Sequence, residues 1–157
     1  MNTLIVYYSM GGNTAWTAEK IAEQTGAETL RLEPVKAYPT KGVRKFLWGG
    51  KSAVMAEKPA LQPYQFEAEQ YDRIIFGFPV WASNIAPPIR TFIRDNDLKN
   101  IRCAAFACQG GSGAEKAFGK LRECLGKELE KTLVLVDPKD RPDPAKELQI
   151  ETFCQSL

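Results

Sequence analysis

The sequence contains no histidine in 157 residues, so zinc sites built on imidazole and histidine acid/base or triad chemistry are excluded. Cysteine is scarce as well. Cys103, Cys108, Cys124 and Cys154 show no CxxC spacing, and they read as small, reduced, mostly buried residues. No apolar run approaches the length that spans a bilayer. No basic segment leads into an apolar stretch near Met1, so a secretory signal is not expected and a cytoplasmic home is the default. Charge of one sign is lacking too. A net charge of +2 is too small to argue for nucleic acid, and no membrane partner is expected. What remains is ordinary for a globular chain: 44% hydrophobic and 25% charged residues, enough for one domain over 1–157 with a proper core.

Five apolar runs punctuate the chain: "TLIVYY" (3–8), "ETLRLEP" (28–34), "RIIFGFP" (73–79), "RCAAFAC" (102–108) and "KTLVLVDP" (131–138). The second alternates, as a half-buried strand would, and the others are continuous, as in a parallel sheet covered on both faces. Helical patterns fill the gaps. Ala18, Ile21, Ala22 and Thr25 share one face of 14–25, with Gly26 as the stop. "APPIRTFIRDN" (86–96) opens with prolines suited to a first turn. Ser112 and Glu115 have capping-box spacing ahead of a helix ending near Gly126. Asp143 and Pro144 open a last helix whose stripe is Ile150, Phe153, Cys154 and Leu157. Residues 34–72 are longer than an ordinary connection, and their centre, "KGVRKFLWGGKSAVM", reads as a helix broken at Gly49-Gly50. The order β-α-β-excursion-β-α-β-α-β-α predicts a doubly wound α/β domain.

In such sheets ligands bind beyond the carboxyl ends of the strands, where strand order reverses. Three loops there are informative. Ser9-Met10-Gly11-Gly12-Asn13-Thr14 follows the first strand, and supplies hydroxyls, an amide and close-approach glycines at a helix start, the setting for a phosphate. It has no lysine or arginine, so the phosphate is expected to be held by N–H dipoles and not by a point cation. Pro79-Val80-Trp81-Ala82-Ser83-Asn84 follows the third strand and brings a large aromatic plane. Gln109-Gly110-Gly111-Ser112-Gly113 follows the fourth and suits backbone lying against a flat ligand. Together they describe a site for a flat phosphorylated heterocycle.

At this point the chain resembles the flavodoxin family. "LIVYYSMGGNT" is similar to the family's first strand and phosphate loop, whose pattern is [ST]-x-[ST]-G-x-T. "GFPVWASNIAPPIRTFI" and "ACQGGSG" are similar to its second and third flavin-binding loops. The resemblance runs over nearly the whole chain and is of the short-chain type. It implies a five-stranded parallel sheet of order 2-1-3-4-5 with helices on both faces, and FMN as cofactor. Ser9, Met10, Gly11, Gly12, Asn13 and Thr14 would then hold its phosphate. Pro79, Val80, Trp81, Ala82, Ser83 and Asn84 would line the isoalloxazine ring, and Gln109, Gly110 and Gly111 would meet its pyrimidine edge. Gly11 stands where the family usually has a hydroxyl residue.

The expected function is an electron-transfer flavoprotein cycling FMN among oxidised, semiquinone and hydroquinone states, with redox proteins as partners and a monomer or weak dimer as its form. No catalytic residue of its own and no metal are expected. Few acids stand in the three loops, which points to a less negative potential than in acidic family members. The alternatives are an FMN-dependent NAD(P)H oxidoreductase acting on quinones, and a flavin-free binding module. A phosphorylated receiver domain is excluded, because Pro79 and Ser9-Met10 stand where it needs acids. Residues 36–58 carry Lys36, Lys41, Arg44, Lys45, Lys51 and Lys58 against Glu57 alone, a stretch that reads first as a solvated face and otherwise as one attracting a phosphorylated donor or, in a carrier, docking an acidic partner.

Overall fold

Two buried faces explain why the strand runs are continuously apolar. In the computed structural model, which describes residues 1–38 and 58–157, strands β1 (Thr3–Tyr7), β2 (Glu28–Arg31), β3 (Arg73–Pro79), β4 (Arg102–Gln109) and β5 (Thr132–Val136) form one sheet. The order is β2-β1-β3-β4-β5 and every pairing is parallel. Among the described residues four α-helices cover it: α1 (Asn13–Thr25), α2 (Pro87–Asp95), α3 (Ala114–Leu125) and α4 (Pro144–Gln155).

Successive side chains of a strand point to opposite faces, so each strand feeds two cores. On one face Val6, Phe76, Phe78 and Ala105 pack with Ile89, Phe92, Phe118 and Leu121, from α2 and α3. On the other, Ile5, Ile75, Phe106 and Leu135 pack with Ala18, Ile21, Ile150 and Phe153, from α1 and α4. The edge run alternates at the end of β2 and just past it, with Leu30 half-buried, Arg31 exposed and Leu32, the residue after the strand, buried.

The first strand ends one residue early, at Tyr7, and two others are shortened further. Strand β2 stops at Arg31, and Pro34 instead bridges Leu61 in an antiparallel contact, with Val35 N donating to the Ala60 carbonyl at 2.8 Å. Strand β5 stops before Asp137, whose φ of 38° turns the chain out of the sheet. Asp143 caps α4 as expected, its Oδ1 accepting from Ala145 N at 2.8 Å. The Ser112–Glu115 capping box does not form. Gly113 occupies the N-cap with a φ of 105°, and Gln109 Oε1 accepts the Ala114 N–H at 3.0 Å in place of Ser112.

The amino ends of the strands carry an ion cluster. Glu130 accepts from Arg73 Nε at 3.0 Å and from Arg102, and its own N–H donates to the Cys103 carbonyl at 2.8 Å. The broken helix read at Gly49-Gly50, and the basic stretch apart from Lys36 and Lys58, lie outside the described residues.

Candidate functional site

The first loop is built to leave donors over. Ser9 Oγ accepts the Ala15 N–H at 3.0 Å and so satisfies one of the orphan donors of the first turn of α1. Arg31 Nη2 donates to the Ser9 carbonyl at 3.0 Å, clamping the loop from β2. Gly12 forms the N-cap with a φ of 95°, a left-handed conformation that a side chain rarely adopts. Between these fixed points, the N–H groups of Met10, Gly11, Gly12, Asn13 and Thr14 find no acceptor among the described residues. Successive N–H groups converging at a helix start make an anion cradle.

The second loop is a tight turn. Trp81 N donates to the Asn84 carbonyl at 3.2 Å and Asn84 N returns a bond to the Trp81 carbonyl at 3.0 Å. Ala82 and Ser83, at its centre, have φ of 50° and 59°. Both are left-handed, which defines a type I′ turn, a geometry that ordinarily calls for asparagine and glycine. Strain of this kind persists only where the surroundings hold it. They do here. A Cβ on Gly113 would lie 2.6 Å from Ser83 Oγ and 2.9 Å from its Cα, so the second and third loops interlock. Asn84 Oδ1 accepts from Ile85 N at 2.9 Å and Arg90 Nη2 at 2.8 Å, pinning the turn to α2. The indole of Trp81 meets Tyr8 and Tyr38 edge-to-face, with centroids 5.7 and 5.2 Å apart. Burial, then the neighbouring Tyr38 and Glu33, push the Tyr8 phenol far above its ordinary range, so it stays protonated.

Between the loops lies a cleft of about 390 Å³, within the size range of small-ligand sites. Of the residues expected from the sequence, Met10, Gly11, Asn13, Thr14, Pro79, Val80, Trp81, Ala82, Gln109 and Gly110 line it. Ser9, Gly12, Ser83, Asn84 and Gly111 do not. Ser9 and Asn84 are buried and brace the loops, Ser83 packs on Gly113, and Gly111 is exposed.

The loop after β5 also reaches the cleft, through Asp137 and Asp140. It is tied to the first loop by Asn13, whose Oδ1 accepts from Lys139 N at 2.8 Å and Asp140 N at 3.2 Å, and whose Nδ2 donates to Asp140 Oδ2 at 3.0 Å. The side chain of Asn13 is therefore a brace between two loops, and its N–H is what faces the cradle. The carboxylates at the cleft therefore come from a loop outside the three that the sequence singles out. The signal was present in "VDPKD", which follows the fifth strand at the same sheet edge as the other loops.

Cys108 forms part of the floor. The Thr17 hydroxyl lies 3.7 Å from its sulfur, at hydrogen-bond distance. Burial pushes its thiol up to about 11, against the opposing effect of the nearby Thr17 and Thr14 hydroxyls. At neutral pH it is a thiol and not a thiolate, and so a poor nucleophile. All four cysteines are free. Among the described residues no cluster of side chains has metal-ligand geometry, and no helix is long and apolar enough to cross a membrane.

A family model described as Flavodoxin matches residues 2–141. A chain from Bacteroides uniformis assigned to the flavoproteins is 25% identical, with a TM-score of 0.78 over 96% of this chain and 97% of that one. A flavoprotein in complex with FMN from Lactobacillus acidophilus is 24% identical, with a TM-score of 0.72 over 88% and 95%. Oxidised flavodoxin 2 from Bacillus cereus is 19% identical, with a TM-score of 0.63 over 99% and 97%.

Proposed function

Because the chain belongs to the flavodoxin family, we propose that it is an electron carrier that binds FMN in the cleft between the strand-end loops. The observation that carries this reading is the run of five consecutive N–H groups, Met10 to Thr14, without an acceptor among the described residues. It is the donor set a terminal phosphate needs, at the end of a cleft lined by Trp81 and by the backbone of Gly110. When bound, FMN supplies one- and two-electron chemistry.

The residues of this chain bind and orient. Met10 through Thr14 offer donors to the phosphate end. Trp81, held by Tyr8 and Tyr38, presents an aromatic surface of fixed direction. Gln109 caps α3 with its side chain and thereby fixes the path of the Gly110 backbone. Among the described residues, the ionisable side chains lining the cleft are Cys108, Asp137 and Asp140. Cys108 is a neutral thiol, Asp137 lies 4.0 Å from Arg141, and Asp140 is bonded to Asn13. None of these three is arranged as a proton relay, which favours a carrier over an enzyme that transforms a bound substrate.

The test has two arms. FMN added to the flavin-free chain should be quenched with a stoichiometry of about one per chain, and a colourless protein that leaves FMN fluorescence untouched ends the reading. The loaded protein should oxidise free NADH or NADPH slowly, and exchange electrons readily with a protein reductase. Direct NADPH oxidation with a quinone acceptor, at roughly 1–1000 per second, would make it a reductase.

A further inference from the structure

The loop after β5 does more than close the cleft. Arg141 N donates to the Asp137 carbonyl at 2.7 Å and Asn13 accepts from two of its N–H groups, so the backbone around Lys139 is fixed against the start of α1. This places the Lys139 side chain over the anion cradle. A Cβ built on Gly12 would lie 2.8 Å from Lys139 Nζ and 3.3 Å from its Cδ. The neighbouring carboxylates are engaged elsewhere, Asp137 near Arg141 at 4.0 Å and Asp140 on Asn13 at 3.0 Å. Lys139 itself has no acidic partner among the described residues. An ammonium thus stands beside a row of unengaged N–H donors.

From this juxtaposition we infer that Lys139 is the cationic partner of the FMN phosphate, brought to the first loop by the loop that follows β5. The inference rests on the FMN reading above. It reverses the expectation of a phosphate held by dipoles alone. The first loop has no cation of its own, but the fold brings one to it. A phosphomonoester near neutral pH carries more than one negative charge, and N–H dipoles at a helix start offset only part of it. A flexible, exposed ammonium adds attraction that salt screens.

Flavin-free native chain and the variants Lys139→Gln and Lys139→Arg are titrated with FMN and with riboflavin, at low and high salt. Lys139→Gln should weaken FMN roughly 1.5- to fivefold at low salt, the range of an exposed ion pair. It should leave riboflavin unchanged, and the FMN difference should shrink at high salt. Lys139→Arg should keep most of the FMN affinity. Because only the backbone of Lys139 bonds to Asn13, the flavin-free variants should melt with the native chain. A native preference for FMN over riboflavin that survives intact in Lys139→Gln overturns the role of Lys139 and leaves the FMN reading standing. A native chain that binds riboflavin as well as FMN, or neither, defeats the FMN reading and this inference together.

Discussion

In the proposed FMN site, Trp81 is the residue that would face the flavin ring. Its ring is gripped edge-to-face by Tyr8 and Tyr38, so it loses little freedom when a ligand arrives, and a stacked aromatic is worth about 0.5–1.5 kcal/mol beyond the area it buries. In Trp81→Ala, bound FMN should fluoresce more strongly than in the native protein and bind more weakly, as followed in a fluorescence titration. Bound emission identical to native would make Trp81 a brace for Tyr8 and nothing more. Trp81 was legible in the sequence because an aromatic in a strand-end loop stands out. Tyr38 was not, since it follows β2 at the mouth of a long excursion with no periodicity to direct it. Cys108 was visible only as a cysteine near the site. Its burial under Thr14 and Thr17, which keeps it a thiol, is a property of the packed helix and could not be read from spacing.

At the scale of elements, the strands were legible because burial on both faces writes itself as unbroken apolar runs, and α4 because Asp143-Pro144 is a local start signal. The failures occur where tertiary contact overrides local chemistry. Ser112 and Glu115 have capping spacing, yet α3 starts from Gly113 because Ser83, from another loop, lies against it. The loop at 137–140 went unread because its role depends on Asn13, far away in sequence. The interlock between loops makes Gly113 a sensitive position. Gly113→Ala would force a side chain into a φ of 105° and toward a backbone atom 2.9 Å away, a cost of about 1–3 kcal/mol. The midpoint of urea unfolding should fall accordingly, with FMN affinity lowered as the turn at 81–84 shifts. An unchanged midpoint would mean that the turn yields freely, contrary to the two bonds that close it.

The whole molecule has two chemically different ends. At the amino ends of the strands, burial alone would raise the Glu130 carboxyl, but the hydrogen bonds and charges of Arg102 and Arg73 outweigh it and hold it below the ordinary carboxylate range. The sign follows from linkage. The unfolded chain takes up a proton at a higher pH than the folded one, so the cluster contributes fully above about pH 4.3, the unfolded glutamate value, and its contribution is lost as pH falls through the folded value. Acid unfolding should therefore steepen below that point, and Glu130→Gln should flatten the acid limb while lowering stability at pH 7, since Arg73 is only 6% exposed and would lose its partner. An acid limb that Glu130→Gln leaves unaltered would place the acid sensitivity elsewhere. The cleft sits at the opposite edge of the same sheet and shares no side chain with this cluster. Substitutions at the two edges should accordingly combine additively. For anyone re-engineering the protein, that separation is a licence: the four loops can be rewritten for a different ligand while the fastening at the base keeps its margin untouched.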